Sequence, residues 1–457
     1  MQKPSNAPGT RDFGPAVMRK RDFILSTITT IYKKFGFESL ETPALENLDT
    51  LEGKYGEEGS KLIYKIRSNS SISSEISDDQ AVKLNELVPN KWIAGASKLG
   101  LRYDLTVPFA RFVVQHRNDL TFPFRRYQVQ NVWRADRPAK GRFREFTQCD
   151  ADCIGSTSLL HEADLIQIYN EVFISLGLSN AVLKVNHRKF LEALVDELQL
   201  NFPVAKFTST LDKLDKIGEE GVMKELVGYG IDEKKCIQLF AIIGNSELTQ
   251  ANLLQFANAF NNNPIAQKAI DDLSEILAYL EDSNLTIKVE LDLSLARGLD
   301  YYTGCIFEAI IPDSGMGSVS GGGRYDDLTG VFGLKDVSGV GISFGIDRLY
   351  EIIEAQQKWP DNLHVNNNVL ICHFDKATQQ YGVKLASQLR AKNIKTIVFP
   401  DDKRINKQFD FANKIGVRFA IVIGESEMIT NKVTIKNLQK GEQVTLSLDD
   451  AINYLRN

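Results

Sequence analysis

Apolar residues near the start of the chain recur at helical spacing and then stop. Val17, Phe23, Ile24, Ile28, Ile31 and Phe35 predict a helix over 15–35, and "FESLETP" after it predicts a strand that ends at Pro43. A two-residue alternation takes over in "FRRYQVQNVWRAD", 124–136. Tyr127, Val129 and Trp133 project one way, and Arg126, Gln128, Gln130 and Arg134 the other. Beyond a loop with Pro138 and Gly141, "FREFTQCDADCIG" predicts a return strand in which Arg144, Phe146, Gln148, Asp150 and Asp152 share a face. The result is a hairpin with one surface of cations, a ring and carboxylates.

The pattern changes twice more. From 187 to 285 the chain is rich in Leu, Lys, Glu and Asn with few strand signals, which predicts a helical insertion between two segments of strand character. After "NNN" at 366–368, the short apolar runs "VLICHF", "KTIVFP" and "FAIVIG" alternate with helical stretches such as "ATQQYGVKLASQLRAK", the pattern of a small α/β domain. A length of 457 residues suits about three domains. The expected division is 1–186 and 286–360 for one body, 187–285 for the insertion and 366–457 for the last domain.

Charge narrows the choice of partner. A net charge of -5 and a pI of about 5.8 exclude a general basic coat for nucleic acid, so the cations of "RADRPAKGRFREF" (Arg134, Arg137, Lys140, Arg142 and Arg144) point to a local anion site. Residues 366–457 carry 14 Lys and Arg against nine Asp and Glu, a positive balance in an acidic chain. No apolar leader and no apolar run of the ~18 residues needed to span a bilayer is seen, so a soluble, cytoplasmic protein with no membrane partner is expected. The five cysteines (149, 153, 236, 305 and 372) are scattered, as reduced thiols are, and Cys149 and Cys153 with His161 lack zinc spacing and a fourth ligand. Neither a G-x-x-x-x-G-K-[ST] loop nor a strand followed by G-x-G-x-x-G occurs, and "GMGSVSGGGR" at 315–324 misses that spacing. Any ATP is therefore held in another way.

The hairpin alone leaves two readings open. One is an antiparallel pair with a solvated polar face. The other is a phosphate or nucleotide site, because arginine's planar fork suits phosphate and Phe146 could stack on a base. Three further stretches bear on the choice: "LARGLDYYTG" at 295–304, "GGGRYDDL" at 321–328, and "GVGISFGIDRLYE" at 339–351, which reads as a strand entering a helix with Arg348 early in it.

Together these stretches resemble the histidyl-tRNA synthetases, a family of class II aminoacyl-tRNA synthetases. The helix, strand and Pro43 match motif 1, "VWRAD…GRFREFTQCDAD" matches motif 2 and "GVGISFGIDRL" matches motif 3. "LARGLDYYTG", "GGGRYDDL" and "LRYDLTVPFAR" at 101–111 match the histidine enzymes in particular. The resemblance covers nearly the whole chain. It implies an α+β fold, a six- to seven-stranded antiparallel sheet flanked by helices, with a helical insertion and a C-terminal α/β anticodon-binding domain, and a homodimer formed through motif 1. It further implies that L-histidine and Mg2+-ATP give histidyl-adenylate and pyrophosphate, and that the histidyl group then passes to the 3'-terminal adenosine of histidine tRNA.

Residue by residue, the resemblance gives Arg134 the α-phosphate and the histidine carboxylate, and Arg348 and Phe146 the two sides of adenine, with Arg348 also reaching the γ-phosphate. Arg142, on the motif 2 loop with Arg137, Lys140 and Arg144, falls where the family grips the triphosphate and the tRNA acceptor end. Arg297 becomes the catalytic cation at the α-phosphate. Asp104, Thr106 and Gln148 match the α-amino site, Leu105 and Arg297 are likewise counted among the histidine-binding residues, and Asp152, Tyr301 and Tyr302 match the imidazole pocket. Some members carry glutamate in place of Asp104 and Asp152, and others aspartate. No side chain is assigned as a direct metal ligand, and no editing domain is required, since buried polar readout of an imidazole can discriminate by about 10⁴ or more. The rival expectations are a histidine-sensing regulatory subunit without ligase activity and a plain RNA-binding protein on the same fold.

Overall fold

In the computed structural model, which describes residues 3–52, 61–66, 98–200, 204–211, 213–243, 245–260, 263–296, 302–363 and 366–456, the first predicted helix runs Pro15–Lys34 (α1). Proline at its start costs no intrahelical bond, and its buried stripe is Arg21, Ile24, Ile28, Ile31 and Tyr32. Gly36, at φ 78°, then turns the chain into β1 (Glu38–Ser39), which is shorter than "FESLETP" predicts. The reason is local. Beyond the amide of Leu40, which bonds the Tyr127 carbonyl, the amide of Thr42 donates to the side-chain Oε1 of Gln130 rather than to a neighbouring strand.

The hairpin forms as expected. β2 (Phe124–Trp133) pairs with β3 (Glu145–Ile154) from Phe124 opposite Ile154 to Trp133 opposite Glu145. With β4 (Val182–His187), β5 (Asn245–Glu247), β6 (Lys288–Asp292), β7 (Cys305–Ile310), β8 (Ser320–Tyr325) and β9 (Gly339–Gly345), the described sheet has nine strands in the order β1-β2-β3-β9-β8-β7-β4-β6-β5. Every neighbouring pair from β2 to β4 is antiparallel, a six-stranded centre, and the parallel pairs β1–β2 and β4–β6 lie outside it.

The two faces of this centre differ. Tyr127, Cys149 and Phe344 face helices: the Tyr32 hydroxyl of α1 donates to the Cys149 carbonyl, and Tyr169 and Phe173 of α3 (Leu160–Ser175) set their rings edge-on to Phe344. The other face carries Arg126, Gln128, Gln148, Asp150, Asp152 and Ser343. It is not the solvated face of an ordinary hairpin, for Arg126 and Gln128 are 0 % exposed. Helix α2 (Thr106–Gln115) covers part of it, with the Phe109 ring 4.3 Å from the Arg126 guanidinium.

The stretch read as an insertion contains the helices Arg188–Glu197, Val204–Leu211, Leu214–Gly228, Glu233–Ile242, Gln250–Ala259 and Pro264–Leu280, together with edge strand β5. Asp232, Thr249 and Asn263 accept backbone N–H bonds at the starts of three of these helices.

The chain divides into two units, 1–358 and 359–457. In the second, β10 (Asn366–His373) lies between parallel neighbours β11 (Thr396–Val398) and β12 (Val417–Ile423), and β13 (Lys432–Asn437) and β14 (Gln443–Ser447) add antiparallel strands beyond β12. The apolar run of β10 serves both faces: Val369 and Ile371 pack with Leu385 and Leu389 of the helix Lys376–Ala391, while Leu370 and Cys372 pack with Ala412 of the helix Ile405–Lys414. Among the described residues, no helix is long and apolar enough to cross a membrane.

Candidate functional site

The polar face of β3 sets the plan of the site. Phe146 and Gln148 line a cavity of about 320 Å3 together with Asp104, Thr106, Arg134, Arg142, Tyr302, Ser343 and Arg348. Further along the same strand, Asp150 and Asp152 line a recess of about 20 Å3 that shares Thr106, Tyr302 and Ser343 with the larger cavity. Alternation along one strand thus lays out a cationic, aromatic region and then an acidic one.

The cations are held in place. Arg134 Nε donates to the Tyr103 carbonyl at 3.1 Å, and its guanidinium lies 4.1 Å from the Tyr103 ring centre and 5.2 Å from that of Phe146. Arg348, in the first turn of α4 (Ile346–Ala355), donates through Nη1 to the Ser318 carbonyl and through Nε to the Gly141 carbonyl at 3.4 Å. Gly141 has φ 68°, and a Cβ there would meet Met316 at 2.9 Å. Arg142 is 4.0 Å from Asp136 with its side chain about half exposed. Arg144 does not follow Phe146 and Gln148 toward the cavity. Its Nε donates to the Asp136 carbonyl and its amide to Gly9, which ties the N-terminal segment to the loop.

Asp347, beside Arg348, is a positioning group with no sequence signal of its own. Arg11 and Arg21 both form ion pairs with it, and the Thr147 amide donates to its Oδ2 at 3.3 Å, so it fastens the N-terminal segment and α1 behind β3. Its neighbour's more obvious chemistry hid it.

Around the acidic recess the groups are nearly all buried. Asp104 Oδ1 accepts from the Val107 amide at 3.1 Å in the first turn of α2, whose first residue is Thr106; Leu105 is fully buried, and its carbonyl is 3.5 Å from Arg126 Nη2. Gln148 Nε2 donates to Ser343 Oγ at 3.1 Å. Asp152 takes an ion pair from Arg126 Nη2 and a hydrogen bond from the Tyr325 hydroxyl, both at 2.8 Å. Glycine is required at 341, for a Cβ there would stand 2.0 Å from Asp152 Oδ1.

One guanidinium therefore serves two carboxylates. Burial pushes Asp150 up to about 7, against the pull of Arg126 and with a further push from Asp152. Asp152 is also raised by burial, opposed by Arg126 and the Tyr325 hydrogen bond. In the sequence Arg126 is one polar position of an alternating run, and Tyr325 stands behind the glycines of "GGGRYDDL". No local signal marks either residue, because their meaning comes from pairing across strands.

Arg297 and Tyr301 lie outside the described residues; Tyr302 lies within them and borders both cavities. Among the described residues, no group of three or more His, Cys, Asp or Glu could hold a metal ion. His161 instead faces Arg125, and burial with that cation lowers it to about 4.

Comparison with known proteins places these observations in a family. The profile described as histidyl-tRNA synthetase matches residues 79–349, and that of an anticodon binding domain matches 365–457. Histidine–tRNA ligase of Cytophaga hutchinsonii is 46% identical, with 100% of both chains covered, and that of Flavobacterium johnsoniae is 43% identical, with 98% of each covered. The crystal structure of histidyl-tRNA synthetase from Nostoc sp. PCC 7120 superimposes with a TM-score of 0.83 at 28% identity, covering 100% of this chain and 99% of that one.

Proposed function

The chain belongs to the histidyl-tRNA synthetase family, and from that premise we infer how the side chains of its two adjoining cavities divide the work of a histidine–tRNA ligase. The reaction has two steps. A histidine carboxylate oxygen attacks the α-phosphorus of ATP and pyrophosphate leaves; a ribose hydroxyl of the tRNA's terminal adenosine then attacks the adenylate carbonyl and AMP leaves.

In this reading the larger cavity takes ATP. Arg134 bridges the α-phosphate and the histidine carboxylate, which brings nucleophile and electrophile into line, and such proximity can supply roughly 7–11 kcal/mol of barrier reduction. Phe146 and Arg348 sandwich adenine, and Arg142 meets the triphosphate and the acceptor end of tRNA. Asp104, Thr106 and Gln148 accept hydrogen bonds from the α-ammonium, with Leu105 as the buried joint between the first two. Asp152, Tyr301 and Tyr302 meet the imidazole. We add Arg126 and Tyr325 as positioning residues that hold the Asp152 carboxylate for this contact. Arg297 acts on the charge that develops at the α-phosphate. Mg2+ would accompany ATP and offset phosphate charge, and no protein side chain is assigned to hold it.

Residues 1–186 and 286–360 form the catalytic body in this proposal, 187–285 the insertion and 366–457 the anticodon module, in a cytoplasmic homodimer joined through motif 1. The observation that carries the reading is the convergence of Arg134, Phe146, Gln148, Arg348, Asp104 and Thr106 on one cavity. Histidine-dependent ATP–pyrophosphate exchange tests it. Arg297→Ala should fold and bind histidine almost as the parent does, with exchange reduced by ~10²–10³ as for other electrostatic groups. Near-normal exchange in that variant would remove Arg297 from the chemistry, and no exchange in the parent would point to a histidine-binding regulatory subunit.

A further inference from the structure

A side-chain amide has a donor end and an acceptor end of nearly the same shape, and only one of them suits an ammonium. Gln148 therefore needs something to decide which end it turns to the cavity. The structure supplies it. Gln148 Nε2 donates to Ser343 Oγ at 3.1 Å, and Gln148 Oε1, buried, has no hydrogen-bond partner among the described residues. Ser343 stands directly across the β3–β9 pairing from Asp150, near enough for its hydroxyl to favour the ionised carboxyl. Asp150 is 1 % exposed and borders the acidic recess with Ser343.

We propose that Asp150 and Ser343 form a positioning relay that fixes the Gln148 amide with its oxygen toward the substrate's α-ammonium. The proposal rests on the reading of Gln148 as an acceptor for that ammonium.

Proton counting gives the relay its direction. A serine hydroxyl has one proton; when the Asp150 carboxylate takes it, Oγ offers Gln148 only lone pairs, so the amide must present its NH2 to Ser343 and its oxygen to the cavity. Were the proton turned to Gln148, the amide would reverse and set its NH2 against an ammonium. Burial opposes the Asp150 carboxylate most; of the groups around it, Arg126 on β2 and the Ser343 hydroxyl on β9 favour the carboxylate, while Asp152 on β3 and Asp104 ahead of α2 oppose it. An arriving ammonium adds to the favouring side. Asp150 and Ser343 touch no substrate in this scheme, which separates them from Gln148 itself.

The test compares histidine with 3-(imidazol-4-yl)propanoate, which keeps the imidazole and carboxylate but lacks the ammonium. Their dissociation constants are measured by calorimetry without ATP. Ser343→Ala and Asp150→Ala should each weaken histidine roughly tenfold, the scale of one charge-assisted hydrogen bond, and leave the deamino analogue within about twofold of its parent value. Ser343→Thr, which keeps the hydroxyl, should restore the discrimination. Equal loss for both ligands would make the pair merely structural and overturn the relay. Gln148→Ala separates the proposal from its premise. If it abolishes the preference for the ammonium while Ser343→Ala and Asp150→Ala retain it, the relay alone fails; if Gln148→Ala also retains the preference, the reading of Gln148 fails and the relay with it.

Discussion

Asp150 stands where a carboxylate is expensive, 1 % exposed and sharing Arg126 with Asp152. With its folded value near 7 against an ordinary carboxylate range near 4, the folded chain binds more protons than the unfolded chain between those limits. Its contribution to stability is thus fully present below about pH 4 and is lost as pH rises through 7. Asparagine carries no such charge. In the ligand-free protein, the melting temperature of Asp150→Asn should exceed that of the parent by an amount that grows from pH 4 to 7 and levels off above, on the order of a few degrees. Differential scanning calorimetry from pH 4 to 9 checks this, and a pH-independent difference would show that Asp150 ionises normally. A higher melting temperature for Asp150→Asn would mean that the carboxyl serves something other than stability, which is how the relay reads it.

Strand β3 shows how far one element was legible before its neighbours were known. Its alternation set Phe146, Gln148, Asp150 and Asp152 on one face, and that is the face bordering both cavities. The partner strand misled, because Arg126 looks like any polar position in an alternating run, and its full burial depends on α2 closing over it. Likewise "FESLETP" is extended in pattern, but only Glu38 and Ser39 pair as a strand, since the Gln130 side chain takes the later amide. In the last domain, β13 and β14 have no clear sequence signal, because β13 breaks its apolar residues with the buried polar Thr434 and Asn437, β14 half-buries only alternate residues, and neither has the long apolar run of β12. The site's most exacting demand is also invisible along the chain: β9 crosses β3 so that Gly341 lies opposite Asp152 with no room for a Cβ. Gly341→Ala should therefore push the carboxylate off its bonds to Arg126 and Tyr325. The expected outcome is a lower melting temperature with the KM for histidine raised tenfold or more, by roughly the 1.5–3 kcal/mol of a charged hydrogen bond, and the KM for ATP little changed. Equal increases in both constants in steady-state exchange assays would locate the damage in the sheet as a whole rather than at Asp152.

At the scale of the whole molecule, charge and chemistry are divided between the two units. Every residue assigned to ATP or histidine precedes 359, whereas 366–457 holds 14 Lys and Arg against nine Asp and Glu in a chain of net charge -5. The second unit has its own sheet and its own apolar clusters on both faces, so removing it leaves no strand of the larger sheet without a neighbour. A chain ending at 365 should still make adenylate, and histidine-dependent pyrophosphate exchange should stay within a few-fold of the parent once sedimentation has verified its assembly state. Charging of tRNA should collapse. The loss should fall on tRNA binding rather than on the chemical step, and the residual affinity should depend less steeply on salt, because each phosphate contact removed lowers the slope of log K against log salt by about 0.7–0.9. Filter-binding isotherms at several salt concentrations read that slope directly. A truncated protein of verified assembly state that charged tRNA as efficiently as the full chain would show that the acceptor end alone, gripped around Arg142 and the loop 134–144, supplies the recognition assigned here to the positive unit.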